Sequence, residues 1–190
     1  MFEVDAENRR KAEQAVRDLL SAFNVKPRTG MDDTPARVVR MYEEVWAGEQ
    51  YTNEQIAAMY DKTFPSEQDD MVVVKDIEAF SYCEHHLALI YDMKISVAYI
   101  PENRVIGLSK IARIVDMCCK RLQLQEHIGQ DIVNVMRRIV GDNVCVRIEA
   151  SHSCMTARGI CKPGSRTVTF AKSGVFLGDE RFHEFLKAVG

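Results

Sequence analysis

The chain has 190 residues, of which 46% are hydrophobic and 28% charged, and this balance suits a folded domain with a real core and excludes a disordered chain. Its formal net charge of -3 argues against a general nucleic-acid binder and leaves room only for a local basic pocket. The charged start MFEVDAENRRKAEQAVRDLL has neither the apolar run of a secretory signal nor that of a membrane span, so a cytoplasmic protein with no membrane attachment is expected.

In chain order, Ala12, Ala15, Val16, Leu19, Leu20 and Phe23 fall at helical spacing and predict an amphipathic first helix. The stretch DTPARVVRMYEEVWAG predicts a second, with Asp33 or Thr34 as cap, Pro35 in the first turn, a stripe through Val38, Met41, Tyr42 and Val45, and Gly48 as its stop. The period then changes. MVVVKDIEAFSY and LALIYDMKISVAYIP are strand-like, and Leu89, Tyr91, Met93, Ile95, Val97 and Tyr99 alternate with Asp92, Lys94 and Ser96, which predicts one buried face. Helical spacing returns in Ile111, Ile114, Val115, Cys118 and Leu122 and again in Ile128, Ile132, Met136 and Ile139. NVCVRIEASHSCM and SRTVTFAKSGVF read as strands, and DERFHEFLKAV as a terminal helix. No repeat or linker divides the chain. The reading is a single domain over 1–190, with a helical part over 1–60 and a core over 70–190, of α+β class with an antiparallel sheet covered by helices on one side.

Six cysteines are too few and too scattered for a disulfide scaffold, so they read as core residues, metal ligands or reactive thiols. Cys118, Cys119 and Cys145 suit the core. Cys83 and His86, at i and i+3 in SYCEHHL, can converge on one ion if the backbone turns between them, and thiolate with imidazole suits zinc. A third ligand has to come from elsewhere. If NVCVRIEASHSC keeps strand alternation, Val144, Val146, Ile148, Ala150, His152 and Cys154 share the buried face while Cys145 points away, so Cys154 is the partner. Three ligands with an open fourth position are the pattern of a catalytic zinc. A structural site completed by Cys161 or His152 is the competing reading.

Two imidazoles, His85 and His152, are then free to pass protons beside the metal, whereas His127 and His183 sit in polar helical contexts that read as surface. Ser109 is placed to cap a helix, with Lys110 and Arg113 on one exposed face inside it. Arg158 follows Cys154, and Arg37 and Arg40 repeat the spacing of three on the second helix. A P-loop is absent. Together these residues describe a zinc hydrolase acting on a small anionic substrate.

The segments SYCEHHL, VAYIPENRVIGLSKIARIVD, RLQLQE, ASHSCMTARGI and HEFLKAV closely resemble GTP cyclohydrolase I, from about Asp33 to the carboxyl end. The resemblance implies a tunnelling fold that assembles as a homodecamer of two pentamers, with active sites at subunit interfaces. It implies conversion of GTP to 7,8-dihydroneopterin triphosphate and formate. Zinc would be held by Cys83, His86 and Cys154 and activate a water for attack on guanine C8, with His85 and His152 passing protons. It further implies that Glu126 accepts hydrogen bonds from guanine N1 and the 2-amino group and that Gln125 sits at the reacting ring. Ser109, Lys110, Arg113, Arg158, Arg37 and Arg40 would meet the triphosphate. A non-catalytic zinc-containing oligomer of the same fold, binding a purine or pterin, is the alternative, and loss of a ligand or of His85 or His152 would have favoured it.

Overall fold

The computed structural model describes residues 4–190, and each element follows from a local signal. Helix α1 (Ala6–Ala22) starts where the Asp5 carboxylate accepts from the backbone N–H of Glu7 and Asn8, both at 2.9 Å. Helix α2 (Thr34–Val45) carries Pro35 in its first turn. Helix α3 (Asn53–Tyr60) is closed by a capping box between Thr52 and Gln55. Strand β1 (Thr63–Pro65) pairs with β4 (Arg104–Ile106) in a small ribbon. The main sheet has the order β2 (Val72–Cys83), β3 (Ala88–Tyr99), β5 (Val144–His152), β6 (Thr167–Lys172), antiparallel throughout. Helices α4 (Leu108–Cys119) and α5 (Gln125–Val140) lie along one side of it, the short α6 (Ser153–Thr156) follows β5, and α7 (Asp179–Val189) ends the chain.

The core forms where the apolar stripes of α4 and α5 meet the sheet. Ile111, Ile114, Ile128, Ile132, Met136 and Ile139 are all fully buried against Met93, Ile95, Val146 and Ile148. Each such side chain contributes roughly 1.5–3 kcal/mol of transfer free energy. Cys145 points to the other face, as strand parity predicts, and there joins Ala98, Phe176 and Phe185 in a smaller cluster under α7. Glycine sets the spacing on the helix side: a Cβ on Gly129 would lie 3.2 Å from Ala171 Cβ, so α5 runs close over β6.

Several local expectations change. Asp33 makes no side-chain cap bond, and the buried residue in the middle of α2 is Val39 while Met41 stays exposed. Gly48 does not stop α2. It sits in a separate 3-10 turn (Ala47–Gln50), buried so closely that a Cβ would lie 2.2 Å from the Met117 carbonyl oxygen. In β3 the alternation breaks: Ile90 and Met93 are buried while Leu89 is exposed. The cause is a bulge between Tyr91 and Lys94, with Asp92 at φ 50°, which inserts a residue and reverses the parity. The cap of α4 is Gly107, and Ser109 stands inside the first turn. Leu122 lies beyond α4 and bridges to Tyr82. The last strand stops at Lys172, after which Gly174–Leu177 turns as a 3-10 helix that buries Phe176. Among the described residues no helix is long and apolar enough to cross a membrane.

Candidate metal centre and proton-transfer site

The site forms where two strands of the sheet end together. β2 runs out at Cys83, and residues 84–87 turn back into β3, with the His86 N–H donating to the Cys83 carbonyl at 3.3 Å and Leu87 at φ 50°. That turn folds the i and i+3 side chains towards each other. β5 ends at His152, opposite Ile90 of β3. Cys154 is therefore not a strand residue, in contrast to the alternation argument, because the backbone enters α6 one residue earlier. The helical turn still delivers the thiol. Tyr91 and Thr156 share a hydroxyl hydrogen bond of 3.0 Å that ties α6 to β3.

The result is a cluster in which one ligand atom each from Cys83, His86 and Cys154 lies within 4.8 Å of the other two. Ions of zinc size bind sulfur at about 2.3 Å and imidazole nitrogen at about 2.0–2.1 Å, so three donors grouped this closely can converge on one shared ion. Cys83 is buried, Cys154 half-buried and His86 exposed. Burial raises the Cys154 thiol above its ordinary pKa and the neighbouring Cys83 sulfur raises it further, while the charge of Arg158 opposes both. A divalent cation would oppose the effects that hold the Cys154 thiol protonated. Among the described residues, neither Cys161, which is exposed, nor His152 joins the three donors.

Around the cluster stand the proton-transfer candidates. His85 follows on the same turn, exposed, its ring edge-on to His86 at 6.2 Å between centroids. His152 is half-buried. Burial lowers its pKa, partly offset by the negative charge of Glu126, so the neutral ring is favoured. Its Nε2 lies 2.8 Å from Gln125 Oε1. The segment before α5 is laid beside β2 by Gln123, whose N–H donates to the Tyr82 carbonyl at 3.2 Å and whose amide donates to the Cys118 carbonyl at 2.6 Å. That placement brings Gln125 and Glu126, at the start of α5, beside His152. Gln123, within RLQLQE, and Tyr91, in the alternating run of β3, carry no spacing signal for a part in the site; their role comes from which backbone they tie.

The structure is less complete for the cations. Ser109, Lys110 and Arg113 occupy the first two turns of α4. Arg158 follows α6 and acts electrostatically on Cys154. Arg37 and Arg40 lie exposed on α2, Arg37 with Asp33 at 3.7 Å. Arg40, Lys110, Arg113 and Arg158 make no salt bridge with any described residue, whereas Arg121, Arg147 and Arg166 are each tied to carboxylates. His127 and His183 are exposed, as expected, and His183 Nδ1 donates to the Asp179 carbonyl at 2.6 Å.

The chain is similar to proteins of one known family. The family model for GTP cyclohydrolase I matches residues 12–189, which takes in most of α1 as well as the region from Asp33 onward. A GTP cyclohydrolase 1 of Clostridium acetobutylicum is 51% identical over 175 residues, covering 88% of this chain and 90% of the relative. One of Ruminiclostridium cellulolyticum is 51% identical over 180 residues, covering 90% and 92%. Among solved structures, the apo form of the archaeosine synthase QueF-Like aligns at a TM-score of 0.44 and 20% identity, covering 57% of this chain and 96% of that one. By the family match and by these relatives, the chain belongs to the GTP cyclohydrolase I family.

Proposed function

We propose that the chain is a GTP cyclohydrolase, converting GTP and water to 7,8-dihydroneopterin triphosphate and formate at the head of pterin and folate synthesis. The single observation that carries this reading is the Cys83, His86, Cys154 cluster with His152 held at its edge. The donors suit zinc, and when bound the ion supplies Lewis acidity at an open coordination position beside the histidines.

The chain's own residues divide the remaining work. His152, kept neutral by burial, accepts a proton as water adds to guanine C8 and returns it as the imidazole ring opens; His85 is the second proton carrier. Glu126, exposed at the start of α5, offers a carboxylate to guanine N1 and the 2-amino group. An adenine there would leave that acceptor unpaired, which gives strong base discrimination. Lys110, Arg113 and Arg158, with Ser109, meet the triphosphate, and Arg37 and Arg40 add charge; a net-negative protein needs such a local group of cations to hold a tetra-anion.

Assembly into a ring of subunits, a decamer of two pentamers, belongs to the same proposal. Strand β6 and most of β2 are open edges among the described residues, and the sheet face opposite α4 and α5, covered in part by α7, still exposes Phe80, Leu89, Val168 and Phe170. Open edges and apolar faces of this kind are what neighbouring copies cover.

The test is incubation of zinc-loaded protein with GTP, following formate and the ultraviolet absorbance of the pterin, beside a chelator-treated sample and His152→Ala. Turnover that disappears in the chelated sample and falls roughly 10²–10⁴-fold in the variant supports the reaction and the histidine's role. Binding of GTP with no formate from the zinc-loaded protein would make the chain a binding member of the fold.

A further inference from the structure

Gln125 is the most constrained polar side chain near the cluster. It is 1% exposed, and its Nε2 lies 3.1 Å from each of three acceptors: the Ile148 carbonyl, the Thr167 carbonyl and Thr169 Oγ1. Carbonyl oxygens only accept, so the nitrogen end of the amide has to face β5 and β6. A flipped amide would set Oε1 against two carbonyl oxygens and strand both without that donor in a buried place, which is strongly disfavoured. Oε1 is thereby aimed at His152, 2.8 Å from Nε2. An amide oxygen cannot donate, so Nε2 carries the hydrogen, and the lone pair of the neutral ring is at Nδ1.

The backbone makes this arrangement rigid. Gln125 opens α5, and one turn later Gly129 allows the helix to run close over Ala171 of β6. The amide thus spans a short gap between an anchored helix start and two paired strands, with Ile148 opposite Thr169 and Ala150 opposite Thr167. Its orientation is set by these three contacts with the sheet.

We propose that Gln125 is a positioning residue that fixes His152 as its Nε2–H tautomer, leaving Nδ1 as the ring atom that exchanges protons with the substrate. The inference rests on the proton-transfer role given to His152 above. It differs from the placement beside the reacting ring that resemblance implies for Gln125, because here Gln125 acts through His152 and not on the substrate.

Two measurements on the zinc-loaded full-length enzyme test it. In the first, nitrogen NMR of protein labelled at histidine, with the His152 signals identified by their absence in His152→Ala, reads which ring nitrogen bears hydrogen in the neutral state. A hydrogen on Nε2 and a bare Nδ1 are expected; the reverse pattern overturns the proposal. In the second, Gln125→Leu is made in the wild-type and His152→Ala backgrounds, and kcat and KM for GTP are measured. A positioning role predicts a kcat loss of at least about 10²-fold in the first background, with KM little changed, and almost no additional loss in the second. Equal losses in both backgrounds, or a raised KM with kcat intact, would show direct action on the substrate. If the leucine variant does not fold, the NMR reading on the native protein still decides. Absence of formate from the native enzyme would refute the assigned reaction, while the tautomer reading would remain a separate result.

Discussion

Cys83 and Cys154 stand where two strands end, and Cys118, Cys119 and Cys145 stand inside the fold; the contrast between these two regions separates burial from chemistry. The three interior thiols are completely or almost completely buried. Burial above all pushes Cys118 and Cys145 up to about 12 and Cys119 well above its ordinary value, with Asp131 adding at Cys118 and Cys118 and Asp116 adding at Cys119. They behave as small hydrophobes. Cys83 is nearly as buried, at 5% exposure, yet it has a second sulfur and an imidazole within 4.8 Å. What distinguishes a ligand from a core residue here is therefore the company within a few ångströms, not the depth.

Removing one member of the cluster is the strongest way to break that comparison. Cys154→Ala is expected to weaken zinc binding by more than about 10²-fold, because loss of even an outer-shell partner of a ligand costs about 10–100-fold, and to abolish formate release. Metal content after dialysis against a weak chelator, with circular dichroism as a control for folding, reads the outcome. A variant that keeps one zinc per chain would mean that some other donor completes the site.

The interior gives the opposite signature. Cys118→Ser buries a hydroxyl in an apolar stripe of α4 and is expected to lower unfolding free energy by about 1–3 kcal/mol, with zinc content and kcat unaltered. Denaturant titration and metal analysis of the same preparation check both halves. Loss of zinc from a well-folded Cys118→Ser protein would erase the distinction between the two regions.

The same distinction shows how far the residues could be read in advance. The trio Cys83, His86 and Cys154 was legible because two of its members are three apart and the third follows a histidine in a strand-like run. The route to Cys154 was not: alternation carries the strand through residue 154, whereas the backbone leaves it after His152 for a helical turn. The α+β sheet and the helix pair α4 and α5 were legible in their periods, and the tunnelling fold that the resemblance implied is the fold of the family to which the chain belongs. The bulge at Asp92 was not, since a positive φ at an aspartate in mid-strand has no signature in apolar spacing. Gly48 was misread because a helix stop and a close backbone approach call for the same residue, and only the Met117 carbonyl tells them apart. The clamp on His152 was beyond sequence reading altogether. Gln125 meets acceptors contributed by residues 23, 42 and 44 positions away, which only the pairing of β5 with β6 brings together.

Thiol alkylation sharpens the comparison within one sample. Native, metal-free protein treated with iodoacetamide at mildly alkaline pH is expected to modify Cys161, which is exposed, and then Cys154, which is half-buried beside Arg158. Cys118, Cys119 and Cys145 should react only after unfolding. Zinc should protect Cys154 and leave the rate at Cys161 unchanged, as peptide mapping by mass spectrometry would show. Equal protection of Cys161 would place it in the metal site.

The smallest effect concerns carboxylates on the free face of the sheet, where charge rather than burial sets the chemistry. Arg166 pairs with the Asp92 carboxylate, donates to the Asp92 carbonyl at 2.8 Å and to Glu149 Oε1 at 2.6 Å, and Arg147 meets Glu149 Oε2 at 2.5 Å. The Arg166 hydrogen bond and charge hold Asp92 below its ordinary 3.8. The Arg147 hydrogen bond, with Arg166 adding to it against some burial, holds Glu149 below 4.5. Both groups therefore bind protons less tightly folded than unfolded, so their contribution is complete above those ordinary values and disappears as pH falls through the lowered ones. Arg166→Ala should destabilise the protein at neutral pH by less than the Cys118 substitution does, because these groups are solvent-screened. The difference from wild type should shrink towards zero once the pH lies below the folded values of both carboxyls. Denaturant midpoints measured across that range check the sign: a difference that stays constant with pH would assign the arginine's effect to packing of its stem over the bulge and not to its charge.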